Sequence, residues 1–470
     1  MSIDIQSASS AQTPRRLDAI IIGAGQAGPS LAGRLNDAGM SVAIIERHLV
    51  GGTCVNTGCK PTKTLVASAH AAHTARRGGD FGFTAGDVAI DMQRVAARAR
   101  QVSLDSRLGT EAWLDGMANV ELIHGHARFT DVHTVAVNGQ LLTAPRIFIN
   151  VGARAAVPDL PGLCDVPFLT NTEMVALETL PRHLIVVGGS YIGLEFAQMY
   201  RRFGAEVTIV ERSDRLIAHE DADVSQAVRE IVEAEGIWVR TGADKISFRS
   251  HLREVAVNIE CGEGSLTLLG SHVLLAVGRR PNTDDLGLAA AGVDVDERGY
   301  ITVDEQLRTN VEGIWALGDC NGRGAFTHTA YNDFEIVAAN LLDGEHRSLS
   351  DRIRGYALYV DPPLARVGMT EAEAVQTGRR LLRSKRPMAR VGRAVEKGET
   401  QGFMKVLADA DTHRILGAAI LGVGGDEAIH GILDMMSADQ SVEALRWAVP
   451  IHPTVSELIP TLLLDLAPVE

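Results

Sequence analysis

Cys54 and Cys59 stand five positions apart in GGTCVNTGCKPTK, the run from Gly51 to Lys63, and no other part of the chain is better suited to chemistry. Their type and spacing point to a redox disulfide. In an ideal α-helix two residues so spaced have Cα atoms roughly 8 to 9 Å apart and face different directions, too far and too divergent for a disulfide. The helix must therefore start late or start distorted. Gly51, Gly52 and Gly58 make such a backbone possible, and Pro61 suits the first turn of a helix that KTLVASAHAAH continues. A thiol near that N-terminus, with Lys60 and Lys63 adjacent, has its thiolate favoured by the helix dipole and by positive charge. Two buried free cysteines, or two ligands of a metal site completed elsewhere, are the competing readings.

Elements able to position such a pair occur twice. LDAIIIGAGQAGPSLAGRL runs from an apolar strand through Gly23, Gly25 and Gly28 into a helix, and SVAIIER gives a second strand ending at Glu46. LIVVGGSYIGLEFAQMY repeats the design through Gly188 and Gly193, and AEVTIVER ends at Glu211. In each unit the acid follows the first glycine by the spacing of a carboxylate that binds an adenosine ribose. The first glycine permits a tight turn, the second lets the backbone reach a pyrophosphate, and the third lets helix and strand pack closely. The helix N-terminus then holds the anion. Ser190 stands where the second glycine of the second unit is usual, and its hydroxyl can donate to a phosphate.

Two dinucleotide units and a dithiol imply an electron path. One unit should hold FAD permanently and the other should take a nicotinamide nucleotide in turn, because a disulfide does not readily accept hydride directly. Glu211 suits a free ribose 2′-OH and repels a 2′-phosphate, so NAD(H) is expected over NADP(H), although Arg212 and Arg215 follow closely and soften the choice.

Composition sets the outer bounds. The chain has 470 residues, 46% hydrophobic and 22% charged, which suits about three domains with ample core. No apolar run reaches the roughly 20 residues a membrane-spanning helix needs. The polar start, MSIDIQSASSAQTPRR, reads as a disordered tail over 1–16 and not a signal peptide, so a cytoplasmic location is expected. A formal net charge of -14 argues against a nucleic-acid partner. Five cysteines in such a length make no disulfide scaffold.

The landmarks GAGQAG, GGTCVNTGCKPTK, VGAR, GGSYIGLE, LLAVGRRPNTD, TNVEGIWALGDC, DPPLARVGMTE and IHPTVSE occur in order from about Leu17 to the C-terminus. Together they resemble the flavoprotein pyridine nucleotide-disulfide oxidoreductases, such as dihydrolipoamide dehydrogenase, glutathione reductase and mercuric reductase. The resemblance implies an α/β fold with two Rossmann-like domains, for FAD and NAD(P), and a C-terminal α+β dimerisation domain. It implies that Cys59 faces the flavin as the charge-transfer thiolate and that Cys54 is the interchange thiol. Lys63 would lie near the flavin, paired with Glu195. Asp319 would bind the FAD ribitol and Thr327 would pass near the flavin, with Gly52, Thr53, Ala127 and Gly152 adding FAD contacts. Gly278 and Arg279 would line the nicotinamide side, where Tyr191 would gate the pocket. His452, oriented by Glu457, would reach across a homodimer interface to the interchange thiol. Imidazole chemistry suits that role, since it moves protons to and from thiols near neutral pH. Thr454 and Glu457 also read as a capping box.

The expected order is an FAD-binding part over 17–154, an NAD(P)-binding domain over 155–280, a second FAD-binding part over 281–345 and a dimerisation domain over 346–470. Met92 to Trp113 reads as a surface helix rich in Arg and Ala. For substrate, IHPTVSE favours disulfide or dithiol exchange. Ser190 and TARRGGDFGF are closer to the mercuric reductase branch, whose reading as a metal-ion reductase is the alternative. Against it, no cysteine follows Cys320 and no N-terminal metal-binding domain is evident. A flavin-bound redox sensor without turnover is a third reading.

Overall fold

The computed structural model describes residues 13–262 and 264–469. They fall into two compact units. One comprises the described chain up to Cys59 with Val102–Arg154 and Arg279–Asp351; the other comprises Lys60–Gln101, Ala155–Gly278 and the chain from Arg352 onward. Residues 1–12 of the expected tail lie outside the described residues. Its end corrects that expectation, because Arg15–Arg16 form a short strand parallel to Leu142 and Thr143.

The first unit is built on a five-stranded parallel sheet ordered Ile314–Ala316, Ile147–Ile149, Ala19–Ile22, Val42–Glu46, Val120–His124. AIII and VAIIE are buried along their whole length, as befits parallel strands covered on both faces. Helix Ala27–Asp37 turns Ala27, Leu31 and Leu35 inward at four-residue spacing. A second, four-stranded sheet joins Arg15–Arg16 to Gln140–Thr143, Thr134–Val137 and Arg128–Asp131.

The second unit repeats the parallel design in the order Trp238–Arg240, Glu206–Val210, His183–Val187, His272–Leu275. Helix Tyr191–Phe203 is buried from Gly193 through Tyr200. Its C-terminal part is a six-stranded antiparallel sheet whose central strands, Phe403–Asp409 and Ile415–Leu421, are wholly buried. Two cations lie deep against this sheet. Arg366 pairs with Glu220 at 2.6 Å and Asp221 at 3.0 Å, and Lys405 pairs with Asp221 and Asp223 at 2.8 Å each. Asp221 is the N-cap of helix Ala222–Ala234, so these pairs fix the start of that helix to the C-terminal sheet.

The expected surface helix spans Met92–Asp115. It is only partly a surface element: Met92, Ala96, Ala99 and Ser103 form a buried stripe of mostly small residues. No helix among the described residues is long and apolar enough to cross a membrane.

Candidate active site

The two cysteines sit on either side of a helix break. Cys54 lies half-buried on the short helix Gly52–Asn56, and Cys59 is the exposed first residue of helix Cys59–Arg76. Thr57 and Gly58 separate the two helices, which is the distortion that the spacing requires. The Asn56 amide holds the short helix in place by donating to the carbonyls of Val50 and Gly52 at 3.0 Å each. The Cys59 sulfur lies 3.3 Å from the Thr327 hydroxyl, which opens helix Thr327–Ala338.

The cysteine segment is built directly onto the glycine loop. Gly51 N–H donates to Ala24 O at 2.8 Å, and the Gln26 amide donates to Gly51 O at 3.0 Å. Gly52 has φ +61°, and a Cβ there would stand 3.0 Å from the Gly25 Cα, so both the turn and the close approach demand glycine. A Cβ on Gly28 would meet Gly23 O at 2.4 Å, whereas one on Gly25 finds nothing nearer than 3.5 Å. A Cβ on Gly25 would make only ordinary contact with Asn150, so the tight packing at this turn falls on Gly23 and Gly28.

Glu46 is buried and staples this loop. Its carboxylate accepts from Ala24 N–H at 2.9 Å and from His48 N–H at 2.8 Å. Ala127 is buried, and Gly152, at φ +65°, accepts from Asn282 N–H at 3.0 Å. Asp319 is set deep enough that burial pushes its carboxyl above the usual range, opposed by the charge of Arg279, whose Nε lies 3.4 Å away. Arg279 also contacts Thr53 and the Ala153 carbonyl. Arg279 and Asp319 line a cleft of about 500 Å³ with Ala153, Tyr300 and Arg323. Gly278, at φ +124°, directly precedes strand Arg279–Pro281, which pairs with Ala153–Ala155 and brings the Arg279 guanidinium beside Asp319.

The second unit uses the same staple. Glu211 accepts from Gly189 N–H at 2.6 Å and from Ser213 N–H at 2.7 Å, matching Glu46 position for position. A Cβ on Gly193 would meet Gly188 O at 2.0 Å. Ser190 is accommodated because its backbone is extended, with φ -107°, and it stands at the N-cap position of helix Tyr191–Phe203 without a side-chain capping bond; the crowded position is Gly189, where a Cβ would stand 2.6 Å from Leu216. Lys63 Nζ donates to both oxygens of Glu195, at 2.9 and 2.8 Å, and Glu195 is buried. The Tyr191 ring packs edge-on against Tyr356 at 5.5 Å, and Tyr356 donates to Glu220 at 2.6 Å.

His452 and Glu457 meet at 2.8 Å through Nδ1, with the imidazole 81% exposed. Thr454 Oγ1 accepts from Glu457 N–H at 3.2 Å, so half of the capping box forms while the carboxylate turns to the histidine. Cys320, in contrast, is wholly buried and its thiol is pushed up to about 12 by burial, which removes it from redox use near neutral pH. Sequence reading missed Tyr359, whose contacts depend on a fold that brings it to Lys63 and Glu195, and it missed the Arg366 cluster.

The chain matches the pyridine nucleotide-disulphide oxidoreductase model over residues 17–333 and that family's dimerisation-domain model over residues 355–463. It belongs to the pyridine nucleotide-disulphide oxidoreductases. It is 36% identical over 450 residues to the probable pyridine nucleotide-disulfide oxidoreductase RclA of Escherichia coli (strain K12), covering 94% of this chain and 97% of that one. A mercuric reductase of Streptomyces lividans is 34% identical over 450 residues, with 94% of each chain covered. A dihydrolipoyl dehydrogenase of Bacillus subtilis (strain 168) is 32% identical over 451 residues, with 95% of each covered. The solved structure of the HOCl-induced flavoprotein disulfide reductase RclA from Escherichia coli matches with a TM-score of 0.86 at 35% identity, covering 95% of this chain and 99% of that one. The chain is thus an enzyme of the flavoprotein disulfide reductase class that uses FAD and a pyridine nucleotide, with a dimerisation domain that indicates a homodimer.

Proposed function

We propose that this enzyme carries electron pairs from NADH to the Cys54 and Cys59 couple and exchanges them with a small disulfide or dithiol substrate. The observation that carries this reading is the His452–Glu457 pair. A carboxylate on Nδ1 fixes the tautomer and leaves Nε2 as the nitrogen that gives a proton to, or takes one from, a substrate sulfur. Such an acid-base group serves dithiol exchange, in which each cleaved disulfide releases a thiolate. Cys54 is the interchange thiol in this reading and Cys59 the thiolate held at Thr327. The exposed histidine serves the thiol pair of the other subunit in the homodimer.

FAD, when bound, supplies the two-electron relay between hydride donor and cysteine pair. Gly23, Gly25, Gly28, Glu46, Gly52, Thr53, Ala127, Gly152, Asp319 and Thr327 would hold it, with Lys63 and Glu195 beside it. The cleft lined by Arg279 and Asp319, and the Asp319 carboxyl raised by burial beside that guanidinium, fit such a polar, extended group. Gly188, Ser190, Tyr191, Gly193, Glu211 and Gly278 would hold the nicotinamide nucleotide. Glu211 favours NADH, since each carboxylate oxygen retains acceptor capacity for a ribose hydroxyl and both repel a 2′-phosphate.

A second reading is reduction of a metal ion by the same thiols. It draws support from similarity to mercuric reductase and to RclA, which has been solved as a Cu(II) complex. Anaerobic titration with NADH tests what the two readings share: a charge-transfer band should develop and be lost in Cys59→Ser. Turnover on lipoamide, oxidised glutathione, Hg(II) and Cu(II) then separates them.

A further inference from the structure

Tyr359 touches both members of the Lys63–Glu195 pair by different means. Its backbone N–H donates to Glu195 Oε1 at 3.0 Å, and its ring centroid lies 4.7 Å from Lys63 Nζ. The ammonium has three N–H donors, and the two Glu195 oxygens accept at 2.9 and 2.8 Å. The aromatic face closes a further side, at a distance where ring and cation attract. Lys63 is 36% exposed on its side chain and Glu195 only 6%, so the carboxylate is the rigid partner and the lysine the one that can leave. Lys63 stands one turn beyond Cys59 on helix Cys59–Arg76, so a lysine that swings out takes its charge away from the redox end of that helix.

We propose that Tyr359 is a positioning residue for the reaction: its ring holds the Lys63 ammonium in the place set by Glu195, and so maintains the positive charge that favours the reduced flavin. This rests on the reading above that Lys63 lies beside bound FAD. The backbone contact orients the carboxylate whatever the side chain at 359, and of the two Tyr359 contacts only the ring's reaches the cation. Substitution of the ring therefore isolates one of the two contacts.

The test is a series of holoenzymes carrying phenylalanine and its mono-, di- and trifluorinated forms at position 359, which share a shape and differ in the negative charge of the ring face. The reduced-to-oxidised flavin ratio against a reference dye, and the charge-transfer absorbance after NADH addition, should both fall stepwise along the series. The total change should be about two- to five-fold, the span of a partly exposed cation–π contact. In a Lys63→Met background the steps should vanish, which a packing role would not produce. A flat series, or steps of equal size in the native and Lys63→Met backgrounds, overturns the inference. A charge-transfer band missing from the unmodified protein overturns the parent reading, while a band that is present with a flat series overturns this inference alone.

Discussion

The Cys59 sulfur lies 3.3 Å from the Thr327 hydroxyl, so one residue at the start of a helix faces the thiol that begins another. A hydroxyl donor stabilises a thiolate more than a thiol. Thr327→Val should raise the Cys59 pKa by about one unit, given that hydrogen bonds to charged groups contribute on the order of 1.5 kcal/mol or more. The pH midpoint of the charge-transfer absorbance reports this shift, and an unmoved midpoint would show that the contact does not hold the thiolate.

The His452–Glu457 pair is expected to act on sulfur exchange and not on hydride transfer. His452→Ala should slow disulfide reduction by about two to four orders of magnitude, the usual range for general acid-base catalysis. Flavin reduction by NADH, followed by stopped flow, should stay within about two-fold. Glu457→Gln should give a smaller loss, because the amide still meets Nδ1 without the charge. Equal losses in both half-reactions would remove the dyad from the mechanism.

Coenzyme choice should respond to Glu211. Glu211→Gln removes the charge that repels a 2′-phosphate and weakens acceptance of a ribose hydroxyl, so the ratio of kcat/KM for NADH over NADPH should fall about ten-fold, near 1.4 kcal/mol. Steady-state kinetics with both coenzymes measure it. An unchanged ratio would place selectivity in Arg212 or Arg215.

Arg366 and Glu220 are both buried, at 1% and 0% side-chain exposure. Removing Glu220 leaves the buried Arg366 with Asp221 alone, so the cost should approach but not reach the roughly 3–5 kcal/mol of a wholly unpaired buried charge. Glu220→Ala should lower thermal stability clearly and also release Tyr356, which donates to the same carboxylate. Replacing Arg366 and Glu220 together by apolar residues of similar volume should recover much of the loss. Calorimetry of the single and double variants decides this.

His70 and Asp361, 2.7 Å apart, give a pH signature. The hydrogen bond to Asp361 raises the His70 pKa, so this contribution is complete below the unfolded value of 6.5 and is lost as pH rises through the folded one. Burial works against the Asp361 charge, yet His70 and Arg202 hold it far below the usual carboxylate range; its contribution is present above 3.8 and is lost as pH falls toward the folded pKa. The pair is strongest between those limits. The melting-temperature gap between the native protein and His70→Ala should be widest between the unfolded values of 3.8 and 6.5 and should narrow as pH rises through the raised His70 pKa. With His70 half exposed the effect should stay below about 1 kcal/mol.

The glycine loops, both acids and the need for a break between Cys54 and Cys59 were legible because each follows from spacing along one stretch of chain. Gly28 and Gly193 are demanded by the carbonyls of Gly23 and Gly188, five residues before each. Tyr359 and the Arg366 cluster were not legible, since their partners lie more than a hundred residues away and nothing local marks an arginine as buried. The Met92–Asp115 helix misled for a related reason: its inward stripe uses alanine and serine, which carry little hydrophobic signal.

Glu211 is a nucleotide ligand in the proposed reading and a structural staple at once. A lineage drifting from NADH toward NADPH cannot discard this acid in a single step without also orphaning the Gly189 and Ser213 N–H groups that it accepts from. Coenzyme preference is thus tied to loop integrity, and a change of preference is expected to travel with a compensating acceptor. In the proposed reading Glu46 carries the same double duty in the other unit, where Cys54 and Cys59 follow within thirteen residues of the staple, so that copy has even less freedom to vary.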